Sequence, residues 1–112
     1  MRMLMKISLP TENGNRGIAD GSLPKTIEAI LQEQKPEAAY FVAENGMRTA
    51  YVVLDLKSTS DIPAIAEPWF LAFNASIEAT PAMTLQDLAA AGPGIESAVR
   101  KYGARARGAG AD

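Results

Sequence analysis

Apolar and polar residues alternate over the start of the chain, with Met3, Met5, Ile7 and Leu9 interleaved with Arg2, Leu4, Lys6 and Ser8. A period of two puts successive side chains on opposite faces of an extended backbone, so residues 2–9 read as a strand. Pro10 and the Asn13-Gly14-Asn15 cluster end it. The spacing then turns helical in two pieces. The first, over residues 15–20, is weakened by Gly14 and Gly17. The second takes Ser22 as its N-cap and carries Pro24 in its first turn, where a missing N–H costs least. It runs through Leu23, Ile27, Ile30 and Leu31 to Lys35, and Pro36 stops it.

Residues 38–44 and 47–56, rich in Tyr, Phe and Val, predict two further strands. They meet at Glu44-Asn45-Gly46, where Asn-Gly supplies the positive φ angles of a tight hairpin turn. Ser60 and Asp61 cap a second major helix. Residues 76–83 predict a last strand, which Pro81 assigns to a sheet edge. Thr84-Leu85-Gln86-Asp87 opens a final helix, broken at Gly92-Pro93-Gly94 and ending near Tyr102. Residues 1–102 then form a single domain, and residues 103–112 a disordered tail.

The helix after Asp61 has an unusual pattern. Between Ile62 and Ile77 the one charged side chain is Glu67, which directly precedes Pro68, Trp69 and Phe70. Ile62, Ile65, Ala66, Trp69, Phe70 and Phe73 share one side. The opposite side presents Ala64, Pro68, Leu71 and Ala72, where a surface helix normally carries polar residues. Both sides are expected to meet something: the chain's own core on one, and a partner subunit, a ligand or the C-terminal helix on the other.

Strand, helix, hairpin, helix and strand, joined by right-handed crossovers, fold most simply into an α+β, ferredoxin-like βαββαβ antiparallel sheet with helices on one face and an added C-terminal helix. Under that topology Met5, Ile7, Phe41, Val52, Leu54 and Ile77 face the helices. Leu4, Lys6, Tyr40, Val42, Tyr51, Val53 and Glu78 face away. The second set is too apolar to lie bare in water, so a homodimer through that sheet face is expected.

Composition narrows the chemistry. At 112 residues and a formal net charge of −2, the chain lacks the clustered basic surface of a nucleic-acid binder. It has no cysteine and no histidine. That excludes disulfides, thiol nucleophiles, thiolate zinc sites, an imidazole base and histidine-ligated haem. Neither calcium-loop spacing nor a membrane-spanning apolar segment is present. A cytoplasmic protein without metal or cofactor is expected.

With LPKTIEAILQEQKPEAAYF, the ENG turn and SDIPAIAEPWFLAFNASIEATPAM in this order, the chain resembles a family of small uncharacterised bacterial proteins of the dimeric α+β barrel, ferredoxin-like group. The resemblance spans residues 1–102. It implies the fold and a dimer, and it transfers no activity or catalytic residues. Wider relatives include cofactor-free monooxygenases, haem-degrading enzymes, muconolactone isomerases and stress-induced barrels. The histidine of the haem-handling branches is missing here.

Several residues invite chemistry. Ser22-Leu23-Pro24-Lys25 has the S-x-x-K spacing of an activated serine, but the companion S-D-N and K-T-G motifs are absent, and a capping role for Ser22 is the simpler reading. Pro68 cannot donate to the Ala64 carbonyl and would kink its helix. A notch there could hold Glu67 in apolar surroundings that suit a general acid or base. Otherwise Glu67 faces solvent or pairs with a basic residue. Lys6 and Glu78 fall on neighbouring strands, as a cross-strand ion pair or as cavity residues with Tyr40 and Tyr51. Trp69, Phe70, Phe73 and Asn74 form either plain core or an aromatic pocket with one amide. Two functions follow. One is a dimeric binding or structural protein that holds a small apolar or aromatic ligand between sheet and helices. The other is a cofactor-independent monooxygenase- or isomerase-like enzyme on an aromatic or lactone, with Glu67, Asn74 or a tyrosine handling protons. The orientation of Glu67 separates them.

Overall fold

The computed structural model describes the backbone of residues 1–111 and the side chains of residues 1–105. Its elements are β1 (Arg2–Ser8), α1 (Thr11–Asp20), α2 (Ser22–Gln34), β2 (Ala38–Glu44), β3 (Met47–Asp55), α3 (Ile62–Phe73), β4 (Ser76–Pro81), α4 (Leu85–Ala90) and α5 (Gly92–Ala111). The chain divides into two compact units, Met1–Ala82 and Met83–Asp112. The unit Met1–Ala82 holds the sheet.

In the first unit the four strands pair antiparallel in the order β2-β3-β1-β4, the α+β ferredoxin-like arrangement. The alternation read along β1 sets its register. Met3, Met5 and Ile7 stand opposite Leu54, Val52 and Ala50 of β3, and all six are buried. At the hairpin Asn45 and Gly46 both have positive φ, 52° and 74°, the geometry whose twist matches paired strands. β4 is an edge strand, and its ladder ends at Pro81, two residues before the expected Met83. Phe41 has the expected parity, opposite Ala50, yet it is 56% exposed. β2 is the other edge, and a groove runs along it beside α2.

α1 starts at Thr11, earlier than its glycines suggested. Gly14 and Gly17 are buried, and packing outweighs their low propensity. A Cβ on Gly17 would lie 2.8 Å from the Leu23 Cβ, and one on Gly14 would lie 2.7 Å from Arg48 Nη1. At 17 the neighbours are Leu23 Cβ and backbone, so only glycine admits the approach, whereas at 14 the neighbour is the flexible end of Arg48. Ser22 is not the N-cap of α2, because Gly21 takes that position in a left-handed conformation. Ser22 instead gives its N–H and hydroxyl to Asp20 Oδ1, at 2.8 and 2.6 Å. Those bonds hold the Asp20 carboxyl below its usual 3.8. Before α3 the side-chain cap sits at Ser58, two residues ahead of the expected Ser60, and Asp61 takes part as expected. Ser58 and Asp61 form a capping box around a 3-10 turn at Thr59–Asp61.

Trp69 anchors α3. It is fully buried and stands 6.0 Å, centroid to centroid, from the Phe73 ring, with the planes tilted by 39°. Burying an indole removes roughly 150–250 Å² from water, on the order of 4–6 kcal/mol before ordering costs. Pro68 lies inside α3, and Gln34 of α2 donates to the Ile65 carbonyl at 2.9 Å, tying the two helices one residue beyond the carbonyl that proline leaves unserved. The outward side of α3 stays open, with Leu71 82% exposed.

The second unit is a pair of helices. Thr84 and Asp87 form the expected capping box for α4, and the chain turns at Ala91 before α5 begins at Gly92 with Pro93 in its first turn. α5 runs to Ala111, so residues 103–111 continue a helix where a tail was expected, and Asp112 lies outside the described residues. Alanine and arginine at 104, 105, 106, 107 and 109 favour helix enough to carry the interspersed glycines. Ile95, Val99 and Tyr102 form an exposed apolar stripe along it, and Arg105 lies over the Tyr102 ring.

Candidate functional site

The residues proposed from sequence as a ligand site do not converge. Trp69 and Phe73 point into the core, whereas Phe70 faces outward. Tyr40 and Tyr51 sit on the opposite face of the sheet, paired with each other across β2 and β3. Glu67 is exposed, and Asn74 is the exposed C-cap of α3, in the left-handed region at φ 54°. The notch imagined at Pro68 therefore does not enclose Glu67. Its carboxylate faces water in a helix whose inward face is filled by Ala66, Trp69 and Phe73.

What the structure brings together instead is a cavity of about 320 Å³ at the edge of the sheet. Its inner wall is built from the buried residues Leu9, Leu23, Thr49, Ala50 and Trp69, and its rim from Phe41, Val42, Ala43 and Arg48, all of them exposed, with Ile27 of α2 also lining it. A groove of about 520 Å³ continues past Phe41 along α2, lined by Pro24, Ile27, Glu28, Leu31 and Gln32. Both volumes lie in the range of small-molecule sites. The walls are almost wholly apolar, and two polar groups stand out. The Trp69 Nε1–H is buried with no acceptor. Such a group costs about 1–3 kcal/mol when left unpaired. Arg48 is fixed by a 3.0 Å bond from Nη1 to Asn15 Oδ1 and by its stem crossing Gly14 of α1. Among the described residues no carboxylate pairs with its guanidinium.

Sequence reasoning named Trp69 and missed the rest of this lining. Nothing in the hairpin's own sequence singles out Arg48. The signal that marks it is the glycine at 14, since a helix with Gly14 and Gly17 leaves room for a neighbouring side chain.

The far face of the sheet carries a separate polar cluster. The register sets Tyr40, Tyr51, Lys6 and Glu78 in one row across all four strands. Glu44 reaches into the row, pairing with Lys6 and accepting from the Tyr51 hydroxyl, while Glu78 stands 3.6 Å from Lys6. The Glu44 contact raises Lys6 above its usual 10.5, and the Lys6 contact holds Glu44 below 4.5. The same Glu44 pushes the Tyr51 hydroxyl above 10.0. Lys6 and Glu78 are thus members of a satisfied ion cluster on the sheet surface. Leu4 and Val42 flank the row, both partly exposed.

Among the described residues no helix is long and apolar enough to cross a membrane. Compared with known proteins, no family model matches the sequence and no curated relative matches it. One solved structure similar to it is a formyltetrahydrofolate deformylase from Pseudomonas putida KT2440, with 15% identity, a TM-score of 0.46, and coverage of 73% of this chain. The chain spans 29% of that protein's length.

Proposed function

We propose that this chain is a small-molecule-binding protein whose site is the cavity between α2, α3 and the β2–β3 hairpin. The observation that carries the reading is an apolar chamber of about 320 Å³ whose lining includes Trp69, with its buried, unpartnered N–H. A core closed for stability alone fills such space and pairs such a group. A bound molecule of matching shape would fill the space. Native mass spectrometry of the purified protein tests this, with Ala43→Phe at the rim as the blocked comparison. The expected result is a small molecule retained by the natural chain and lost from the variant. A chain that retains nothing, and whose melting temperature is raised by no apolar-bodied probe, neutral or charged, overturns the reading.

The reading includes a homodimer of the α+β barrel type, formed through the open face of the sheet. Tyr40 is 66% exposed and Val42 43%, beside Leu4 and Val53, and a second copy would cover them around the Lys6 cluster. Sedimentation at micromolar concentration is expected to give twice the 11.9 kDa chain mass, and Val42→Glu a monomer. A monomer for the unaltered chain contradicts the dimer and leaves the cavity reading standing.

A further inference from the structure

We propose that the cavity takes an amphipathic organic anion, one oxyanion head on an apolar body, with Arg48 as the residue that binds the head; this rests on the cavity being a ligand site. Three observations lead there. Arg48 lies on the rim of a cavity whose other lining residues carry no charge, so the one charge available to a bound molecule there is positive. Its guanidinium spends one bond on Asn15 and meets no carboxylate among the described residues, so most of its five donors remain for an acceptor. Its stem is held against Gly14, which limits the freedom lost when the head group binds. The long axis of the site fits the same class. The chamber continues past Phe41 into the groove lined by Ile27 and Leu31, which suits an aliphatic or flat tail rather than a second charge. Glu28 on the groove wall disfavours a second anionic group at that end.

Guanidinium forks bind carboxylate and phosphate alike. The head is therefore named by its shared chemistry, and the experiment separates the two sources. Trp69 is the chain's single tryptophan, so its emission reports on the cavity wall without labelling. Octanoate, octyl phosphate and neutral octanamide are titrated against the natural chain, Arg48→Gln and Arg48→Lys, with far-UV circular dichroism checking the fold of each. The expected result is that octanoate or octyl phosphate binds at least tenfold more tightly than octanamide. Arg48→Gln should remove that advantage, while Arg48→Lys should retain part of it. The advantage should also shrink as salt rises, because the rim is open to solvent. Equal affinity for octanoate, octyl phosphate and octanamide overturns the assignment and leaves the cavity as a neutral site, and an anion preference that survives Arg48→Gln overturns the role given to Arg48. Failure of all three probes to bind overturns the cavity reading itself.

Discussion

Replacing Gly17 with alanine separates packing from propensity. In an isolated helix the exchange stabilises by about 1 kcal/mol. At this position the new Cβ lies 2.8 Å from the Leu23 Cβ and 3.4 Å from its Cα and N. Those atoms belong to the backbone and its first carbon, so no side-chain rotation relieves the contact. Either α1 or α2 must move, at the roughly 1–3 kcal/mol typical of overpacking. The net expectation is a loss of about 1 kcal/mol, a fall of roughly 4–8 °C in melting temperature for a unit of this size. Gly14→Ala provides the internal control. Its Cβ meets the guanidinium end of Arg48, which can swing away, so the helix gain and the disturbed Arg48–Asn15 bond should nearly cancel. The same variant should lower anion affinity, since it dislodges the head-group residue. Urea unfolding followed by circular dichroism and Trp69 emission measures both. A Gly17→Ala protein more stable than the parent by about 1 kcal/mol would refute the close approach of α1 to α2 and, with it, the seating of Leu23 in the cavity wall.

The ion cluster on the open face gives a pH dependence. Glu44 is held below 4.5 by Lys6, so its contribution is present above that value and is lost as pH falls through the folded pKa. Lys6 is raised above 10.5 and Tyr51 above 10.0 by Glu44, so their contributions are present below those values and fade as pH climbs through the folded ones. Urea midpoints against pH should therefore fall at both ends in the natural chain and less steeply in Glu44→Gln; superimposable curves would contradict the cluster. Pro68→Ala restores a donor for the Ala64 carbonyl inside α3, and a stability gain of about 1–2 kcal/mol is expected by chemical denaturation once proline's stiffening of the unfolded chain is offset. Glu67→Gln, at an exposed site, should change stability by less than about 0.5 kcal/mol and leave probe binding unaltered.

Period-two patterning and one Asn-Gly turn made the sheet legible, because strand parity is binary and a buried face fixes it. Pro81 placed β4 at the edge for the same reason: a ladder tolerates proline only there. The caps were harder. Ser22 and Ser60 are good N-cap residues by type, yet Gly21 and Ser58 hold those positions, since several turn-forming residues stand close together and only the backbone path selects among them. The site was half legible. Trp69 stood out as a large side chain on a charge-poor helix, but what lies beside it depends on where α2 crosses the edge strand. That crossing is set by packing between elements, such as Gly17 on Leu23 and, far apart in sequence, Arg48 on Gly14. Tyr40, Tyr51, Glu67 and Asn74 were chosen for their chemistry, and parity or exposure places each away from the chamber.

The wall containing Trp69 is the proposed binding surface. Its most direct test is the proton–nitrogen correlation spectrum of the labelled protein, in which one tryptophan gives one indole resonance. Titration with octanoate is expected to shift that Trp69 signal saturably, together with the amides of Leu9, Ala43, Thr49 and Ala50 around the chamber. An indole resonance that stays fixed while octanoate shifts only residues of the open face, such as Tyr40 and Tyr51, would contradict it.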